Sequence, residues 1–374
     1  MAVDSSIQRI TRLTPLSAIL ALIESRVAVV TPHKSAVAVA LGCTLADDIV
    51  ASQLPLMTIA LRDGFAVDAG AIADAGPYSP VPFAEEPQRV DVGEPLPSGT
   101  DAVAPFEAIQ ERGGRAEAIA AVSPGEGVLP AGGDCTPRAP LRRAGASVRA
   151  IDIAVIAAAG IAEVTVRSPR ICIACGSTMK TPLIASALDA LARAAAAAGC
   201  TVLEAQREGE GLDLALADDS ADAVIALGGT GSGRQDAAVK TLARLGHVEA
   251  HGIAVSPGET AAFGIAGVRP VLLVPGRLDA ALAIWLLIGR HLVAKLAGGG
   301  IVDWPVTLPL KRKVTSTIGL TELVPISCAG GVAEPLASGY LSLESLARSD
   351  GWIVVPAESE GFAAGTPVAV RAWP

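Results

Sequence analysis

The segment Asp222–Asp236, reading DAVIALGGTGSGRQD, holds the residues best suited to chemistry in this chain of 374 residues. An apolar run of the kind a buried strand shows, Ala223–Leu227, leads into a turn carrying Gly228, Gly229, Gly231 and Gly233, interleaved with Thr230 and Ser232. A glycine turn followed by a helix leaves backbone N–H groups unpaired at the positive end of the helix dipole, which suits a phosphate or another oxyanion. Asp236, just past the turn, makes the segment unusual. A carboxylate repels a bare phosphate, so it implies a metal, a ring nitrogen or a helix cap at that point.

The elements that must position this turn follow from periodicity. Strand Arg170–Ala174 leads to a turn at Gly176–Lys180, and an Ala-rich helix follows at Pro182–Ala198. Thr201–Ala205 reads as a strand, Asp213–Asp219 as a helix, Ala223–Leu227 as a strand and Ala237–Leu245 as a helix. Val271–Val274 is a further buried strand, and Asp279–Leu296 a long helix ending in three glycines. Such βα units in series imply a parallel sheet covered on both faces, with ligands at the carboxyl ends of its strands. Upstream, Leu16–Val30 and Ser35–Ile49 have helical spacing, and Ile151–Gly160 returns to helix. Between Pro55 and about residue 140 short apolar runs alternate with Gly, Pro and polar turns, the texture of β structure. From about residue 301 to 374 the chain reads as a small β domain, with a helical period only at Leu341–Arg348.

Composition bounds the function. Hydrophobic residues make up 51% and charged residues 18%, so apolar surface is ample for more than one core. A net charge of -9 and only 3% aromatics argue against nucleic-acid binding, which needs a basic face or stacking platforms. The first thirty residues carry Asp4, Arg9, Arg12, Glu24 and Arg26 and lack the apolar core of a secretion signal. The stretch Ala280–Leu296 is interrupted by Arg290, His291 and Lys295 and is too short to span a bilayer. A cytoplasmic protein without a membrane partner is expected. The six cysteines are dispersed, as reduced thiols would be. Cys172 and Cys175 sit in one strand three positions apart, on opposite faces, so they make neither a zinc site nor a redox pair.

Four stretches, in order, carry a resemblance. Pro55–Val67 (PLMTIALRDGFAV) is similar to a proline-led segment ending in M-D-G-Y-A-V. Gly93–Glu107 (GEPLPSGTDAVAPFE) and Ala131–Gly145 (AGGDCTPRAPLRRAG) are similar to a glycine–proline stretch and a G-E-D segment. Asp222–Asp236 resembles an S-G-G-V-S-V-G-x-x-D loop. Together they resemble the MoeA / gephyrin E-domain family, the molybdopterin molybdenumtransferases. The resemblance implies an α/β multidomain fold. It consists of an elongated helical N-terminal part (1–54 plus 141–168) and an inserted β domain (55–140). A three-layer α/β pterin-binding domain like MoaB and MogA (169–300) and a small C-terminal β domain (301–374) follow.

It also implies a homodimer with shared clefts, and a reaction that joins molybdate to adenylylated molybdopterin and releases AMP with Mg²⁺. Carried onto this chain, Asp63, Asp134 and Asp236 become the catalytic carboxylates, with Asp236 and Asp63 as metal ligands. Gly176, Ser177, Thr178, Gly228, Gly229, Thr230, Gly231, Ser232, Gly233, Pro275 and Gly276 become the binding set for molybdopterin or its adenylylated form. A second reading of the three aspartates stays open: Asp63 and Asp134 as turn residues and Asp236 as a helix cap.

The chain departs from that family at several positions. The expected T-G-D-E-L turn reads Cys175-Gly176-Ser177-Thr178-Met179, so two acids have become hydroxyls. Two family lysines fall at Gly252 and Ser256, and the turn after them reads Pro257-Gly258-Glu259-Thr260. A family threonine falls at Val92 and an arginine at Leu129, and P-G-N-P-V-S becomes Pro275-Gly276-Arg277-Leu278-Asp279-Ala280. A lysine beside a dianion contributes up to ~4 kcal/mol at an effective dielectric near 20, before desolvation and salt. Lys180, Arg234 and Arg277 on turns, and His251 beside a lost lysine, are the candidate replacements. Three functions are therefore carried forward: a molybdenum cofactor assembly enzyme, a non-catalytic pterin carrier serving a client molybdoenzyme, and a same-fold enzyme for another nucleotide- or pterin-like ligand.

Overall fold

The computed structural model describes residues 8, 10–177, 181–204, 211–233 and 236–373. They form two compact units. One comprises residues 1–47, 144–153 and 163–374, and the other residues 48–143 and 154–162.

The larger unit is built on a six-stranded mixed sheet. Its strands are β1 (Arg170–Cys175), β2 (Thr201–Glu204), β3 (Ala223–Leu227), β4 (His247–His251), β5 (Ala262–Ala266) and β6 (Arg269–Val274). Their spatial order is β2-β1-β3-β6-β5-β4. The first four run parallel, and β5 and β4 add antiparallel hairpin partners at one edge. Period-two alternation divides the parallel strands between two cores. Ile171, Ile173, Ile225, Leu272 and Val274 face a core shared with the Leu16–Arg26 helix and with α1 (Pro182–Ala197). Cys172, Ala174, Val224, Ala226, Val271 and Leu273 face a second core against α2 (Gly211–Ala217) and α3 (Ala238–Leu245). Three layers result, because each strand is apolar on both faces. None of the six cysteines is in a disulfide; Cys172 is buried and Cys175 half-buried.

The last helix of the α/β part runs from Leu278 to Ala297, with a π-helical turn at Trp285–Gly289. Gly289 leaves room for the Trp285 ring, since a Cβ there would stand 2.6 Å from Trp285 Cε3. The helix extends beyond the apolar stretch read from sequence, and its 20 residues are long and apolar enough to cross a membrane. Its most apolar window is 72% buried within the protein, which makes it a core helix. A six-stranded sheet follows, in which Glu334–Pro335 pairs with Thr321–Ser327 off the main path. Val255–Ser256, Thr321–Ser327, Gly351–Val355, Pro367–Ala372 and Val306–Pro309 lie in that order, with a short helix at Leu343–Ala347 capped by Ser342.

One expected helix is absent. Ser35–Ile49 forms strands His33–Ala36 and Thr44–Leu45, which flank Glu163–Arg167 in an antiparallel sheet. The Ala/Val spacing there fits either period, and cross-strand pairing with a segment more than a hundred residues away overrides the local preference. Gly42, at φ +78°, ends any helical option.

The smaller unit consists of short antiparallel strands. Gly64–Val67 lies between Arg89–Val90 and Ala102–Ala104, and Arg115–Ala118 lies between Val81–Pro82 and Ile109–Arg112. Val67, Ile72, Ala102, Ala104 and Ala118 fill one core, while Ala66, Val90 and Val103 face another. Arg62 ties the sheet to the next turn by donating to Val103 O at 2.9 Å and pairing with Glu126 at 3.0 Å.

Candidate functional site

Strands β1, β3 and β6 end level with one another. Cys175 pairs with Leu227, and Leu227 with Val274. The ladder then continues one step into the turns, with Gly176 N–H donating to Leu227 O (2.8 Å) and Gly228 N–H to Val274 O (2.7 Å). Three turns therefore open at one height, where the strand order reverses between β1 and β3, the position at which ligands bind such sheets. They interlock closely. A Cβ on Gly229 would stand 2.3 Å from Gly176 O, one on Gly176 2.6 Å from Gly228 O, and one on Gly228 2.8 Å from Ser177 Cβ. Gly228 and Gly229 also have φ of +90° and +73°. A Cβ on Gly276 would stand 3.4 Å from Gly228 Cα. The structure thus brings Gly176, Ser177, Gly228, Gly229, Pro275 and Gly276 together. Thr178, Lys180 and Arg234 lie outside the described residues.

The amides of the glycine turn are not all available. Those of Gly228 and Gly233 are used internally, the latter donating to Asp236 Oδ2 at 2.7 Å. Those of Gly229, Thr230, Gly231 and Ser232 have no partner among the described residues. The first turn of α3 is occupied too. Its N-cap, Ala237, offers no side-chain acceptor. Gln8 Oε1 instead accepts from Val239 N (3.0 Å) and Lys240 N (3.1 Å). Gln8 Nε2 donates to Gly229 O (3.1 Å) and Gly231 O (2.8 Å), and Ser232 Oγ donates to Gln8 O (2.8 Å). An anion here would therefore meet the loop amides and not those of the helix. Thr230, 2% exposed, is held by Thr260 Oγ1 at 3.0 Å and by His251 Nε2, which donates to Thr230 O at 3.0 Å. His251 is thus a support of the turn. Gln8 is absent from the sequence reading, because its partners lie more than two hundred residues away.

Asp236 does not cap α3. Its carboxylate closes the glycine turn, and a Cβ on Gly231 or Gly233 would come within 2.8 Å of Oδ2. Oδ1 has no partner among the described residues. Asp63 and Asp134 belong to the smaller unit and are exposed. Asp63 Oδ1 accepts from Val92 N at 2.8 Å, at the position of the missing threonine. Among the described residues no three His, Cys, Asp or Glu side chains form a metal cluster. Asp236 alone, beside free amides, still fits Mg²⁺, which takes one or two carboxylates and completes its shell with phosphate and water. Arg277 is committed elsewhere. It pairs with the buried Asp279, which accepts from Leu341 N at 3.2 Å, and it stacks 4.8 Å from the Tyr340 ring. The Asp279 contact raises the Arg277 pKa further, so its charge is fixed but shared.

Residues 5–160 match the family model of the MoeA N-terminal region (domain I and II). Residues 179–295 match the "Probable molybdopterin binding domain", and residues 307–373 the MoeA C-terminal region (domain IV). The chain belongs to the MoeA family. Two structures of the molybdopterin biosynthesis MoeA protein from Pyrococcus horikoshii share its fold. One has a TM-score of 0.73 at 25% identity over 96% of this chain and 99% of that one. The other has a TM-score of 0.75 at 22% identity over 97% and 100%. Molybdopterin molybdenumtransferase 1 of Mycobacterium tuberculosis is 29% identical over 224 residues, 55% of this chain and 52% of its own length. A Methanocaldococcus jannaschii protein assigned to molybdopterin biosynthesis is 33% identical over 150 residues, 40% of this chain and 36% of its own. The MoeA chain thus spans between 36% and 52% of the length of these curated relatives.

Within this MoeA chain the lost lysines have a packing explanation. Gly252 has φ +91°, and a Cβ there would stand 2.4 Å from Ile10 Cγ2 and 3.0 Å from Arg12 O. Thr14 N donates to Gly252 O (2.9 Å) and Ala254 N to Thr14 O (2.8 Å), so the chain before the first helix lies along residues 252–254. Ser256 is 7% exposed, in the strand that pairs with Thr321 and Glu322. Gly252 has no room for a side chain in this arrangement, and Ser256 is buried in a paired strand.

Proposed function

We infer that this protein works in molybdenum cofactor biosynthesis as a molybdopterin molybdenumtransferase, joining molybdate to adenylylated molybdopterin with release of AMP. The observation that carries the reading is the convergence of three glycine turns at the level ends of β1, β3 and β6, with four amides that have no partner among the described residues, in a chain of the MoeA family. Backbone amides in a turn bind a phosphate oxyanion without a lysine, and the Ser177 hydroxyl lies on the adjoining turn. Asp236 Oδ1 would hold Mg²⁺ against the ligand's phosphate, and the ion would supply charge neutralisation at the phosphoryl oxygens. Asp63 and Asp134 are further catalytic candidates, and the reading includes a homodimer acting in the cytoplasm.

The test is direct. Purified protein is incubated with adenylylated molybdopterin and Mg²⁺, with and without molybdate, and AMP is followed. Molybdate-dependent AMP release supports the transferase. Tight pterin binding without that release would identify a carrier that hands cofactor to a client molybdoenzyme, and no pterin binding would point to a different ligand. Sedimentation tests the dimer.

A further inference from the structure

The glycine turn has a defined polarity: Gly229 O is held by both Ala238 N (3.0 Å) and Gln8, and Gly231 O by Gln8. A peptide unit is planar and trans, so the C=O of one residue and the N–H of the next point in opposite directions. Gln8 Nε2 holds the C=O groups of both Gly229 and Gly231. The N–H groups of Thr230 and Ser232, which belong to the same two peptide units, must therefore point away from Gln8. His251 Nε2 holds Thr230 O in the same way, which directs the Gly231 N–H away from the imidazole. Gln8 is 7% exposed, whereas Gly231 is half-buried and Ser232 exposed. Gly229 and Thr230 are buried, so the open side of the turn is the one the Gly231–Ser232 peptide faces, away from Gln8.

The orientation of the Gln8 amide is fixed by its surroundings, because only Nε2 can serve two carbonyls and only Oε1 can serve two N–H groups. All four of these hydrogen bonds are made. The residue type matters at both ends. A carboxylate could accept from Val239 and Lys240 but could not donate to the carbonyls, and it would place a negative charge beneath an anion site.

We propose that Gln8 is a positioning residue of the anion site: by holding the Gly231 carbonyl it turns the Ser232 amide toward the terminal phosphate of the pterin ligand. The role rests on the molybdopterin reading above. It assigns to the segment before the first helix a part in ligand recognition, exerted through the turn and without contact to the ligand.

The test compares two fluorescent oxidised pterins derived from molybdopterin, one carrying its terminal phosphate and one from which a phosphatase has removed it. Affinities are measured by fluorescence titration for wild type, Gln8→Ala and Gln8→Glu, with thermal unfolding monitored in parallel. Wild type is expected to prefer the phosphorylated pterin. Gln8→Ala is expected to lose at least about tenfold of that preference, because a charge-assisted donor loses its alignment. Gln8→Glu keeps the acceptor for the first turn of α3 and hence the fold, yet loses the phosphate preference as well. A merely structural role would weaken both pterins equally and leave the ratio unchanged. If wild type shows the preference and both folded variants retain it, the positioning role is overturned and the functional reading stands. If wild type binds neither pterin, the functional reading falls and takes the Gln8 role with it.

Discussion

Restoring the family lysine at position 252 should damage the protein rather than improve it. In wild type Gly252 has φ +91°. An L side chain in a left-handed conformation costs ~1–2 kcal/mol. A Cβ there would also stand 2.4 Å from Ile10 Cγ2, 3.0 Å from Arg12 O and 3.2 Å from Leu13 Cδ2. The isoleucine methyl can swing aside, but the carbonyl is backbone and is tied to the 252–254 segment through Thr14. Overpacking of this kind costs a further ~1–3 kcal/mol. The total of ~2–5 kcal/mol is a large share of the ~5–15 kcal/mol that stabilises a typical fold. Gly252→Ala should show most of the loss, because strain and Cβ overlap are already present there. Gly252→Lys should equal or exceed it, with the main unfolding transition falling by roughly 5–15 °C. Urea unfolding followed by fluorescence gives the stability, and equilibrium dialysis with molybdate gives the affinity. Wild-type stability in Gly252→Ala, or tighter molybdate binding by a folded Gly252→Lys, would refute the account.

Further tests separate charge from geometry. Asp236→Asn keeps an acceptor for Gly233 N, so its stability should stay within about 0.5 kcal/mol of wild type while Mg²⁺-dependent AMP release falls at least a hundredfold, as about 3 kcal/mol would give. Asp236→Ala should in addition lose about 1–2 kcal/mol of stability from the opened turn, and unchanged turnover in Asp236→Asn would leave the carboxylate with loop closure alone. Burial pushes the Cys200 thiol up to about 12, with Cys43 and Asp222 adding to the effect. An unfolded thiol ionises near ~8.5, so the folded state keeps a proton that the unfolded state loses, and stability falls as pH rises through that window. Cys200→Ala should show a shallower alkaline decline, read from urea midpoints at about pH 8 and about pH 10.5, and a parallel decline in both proteins would dismiss the thiol as the cause.

How far the sequence reaches is clearest at three places. Strand Ala223–Leu227 was readable to the residue, because five apolar positions are bounded by Asp222 and a glycine turn and the strand is buried on both faces. Ser35–Ile49 was not readable, because its small and β-branched residues suit helix and strand alike and the decision belongs to Glu163–Arg167. The anion turn lay between these cases. Its location followed from the apolar strand and its glycines, while its grouping with Gly176 and Gly276 was implied only by the family resemblance. Its wiring followed from neither, since Gln8 acts across more than two hundred residues and no local pattern marks a glutamine for that task. Gly252 was legible only as a missing charge, whereas the structure shows a backbone conformation and neighbouring side chains that a lysine could not share.

The interlock of Gly176 with Gly228 and Gly229 bears on how distant relatives are sorted by function. Steric fit alone forbids a side chain at these three positions, whether or not any ligand is ever turned over. A genome survey that counts intact glycines as a sign of activity would be counting scaffold integrity, and inactive descendants would pass the filter. Discriminating markers have to be sought among groups that the scaffold does not require, such as the unengaged oxygen of Asp236.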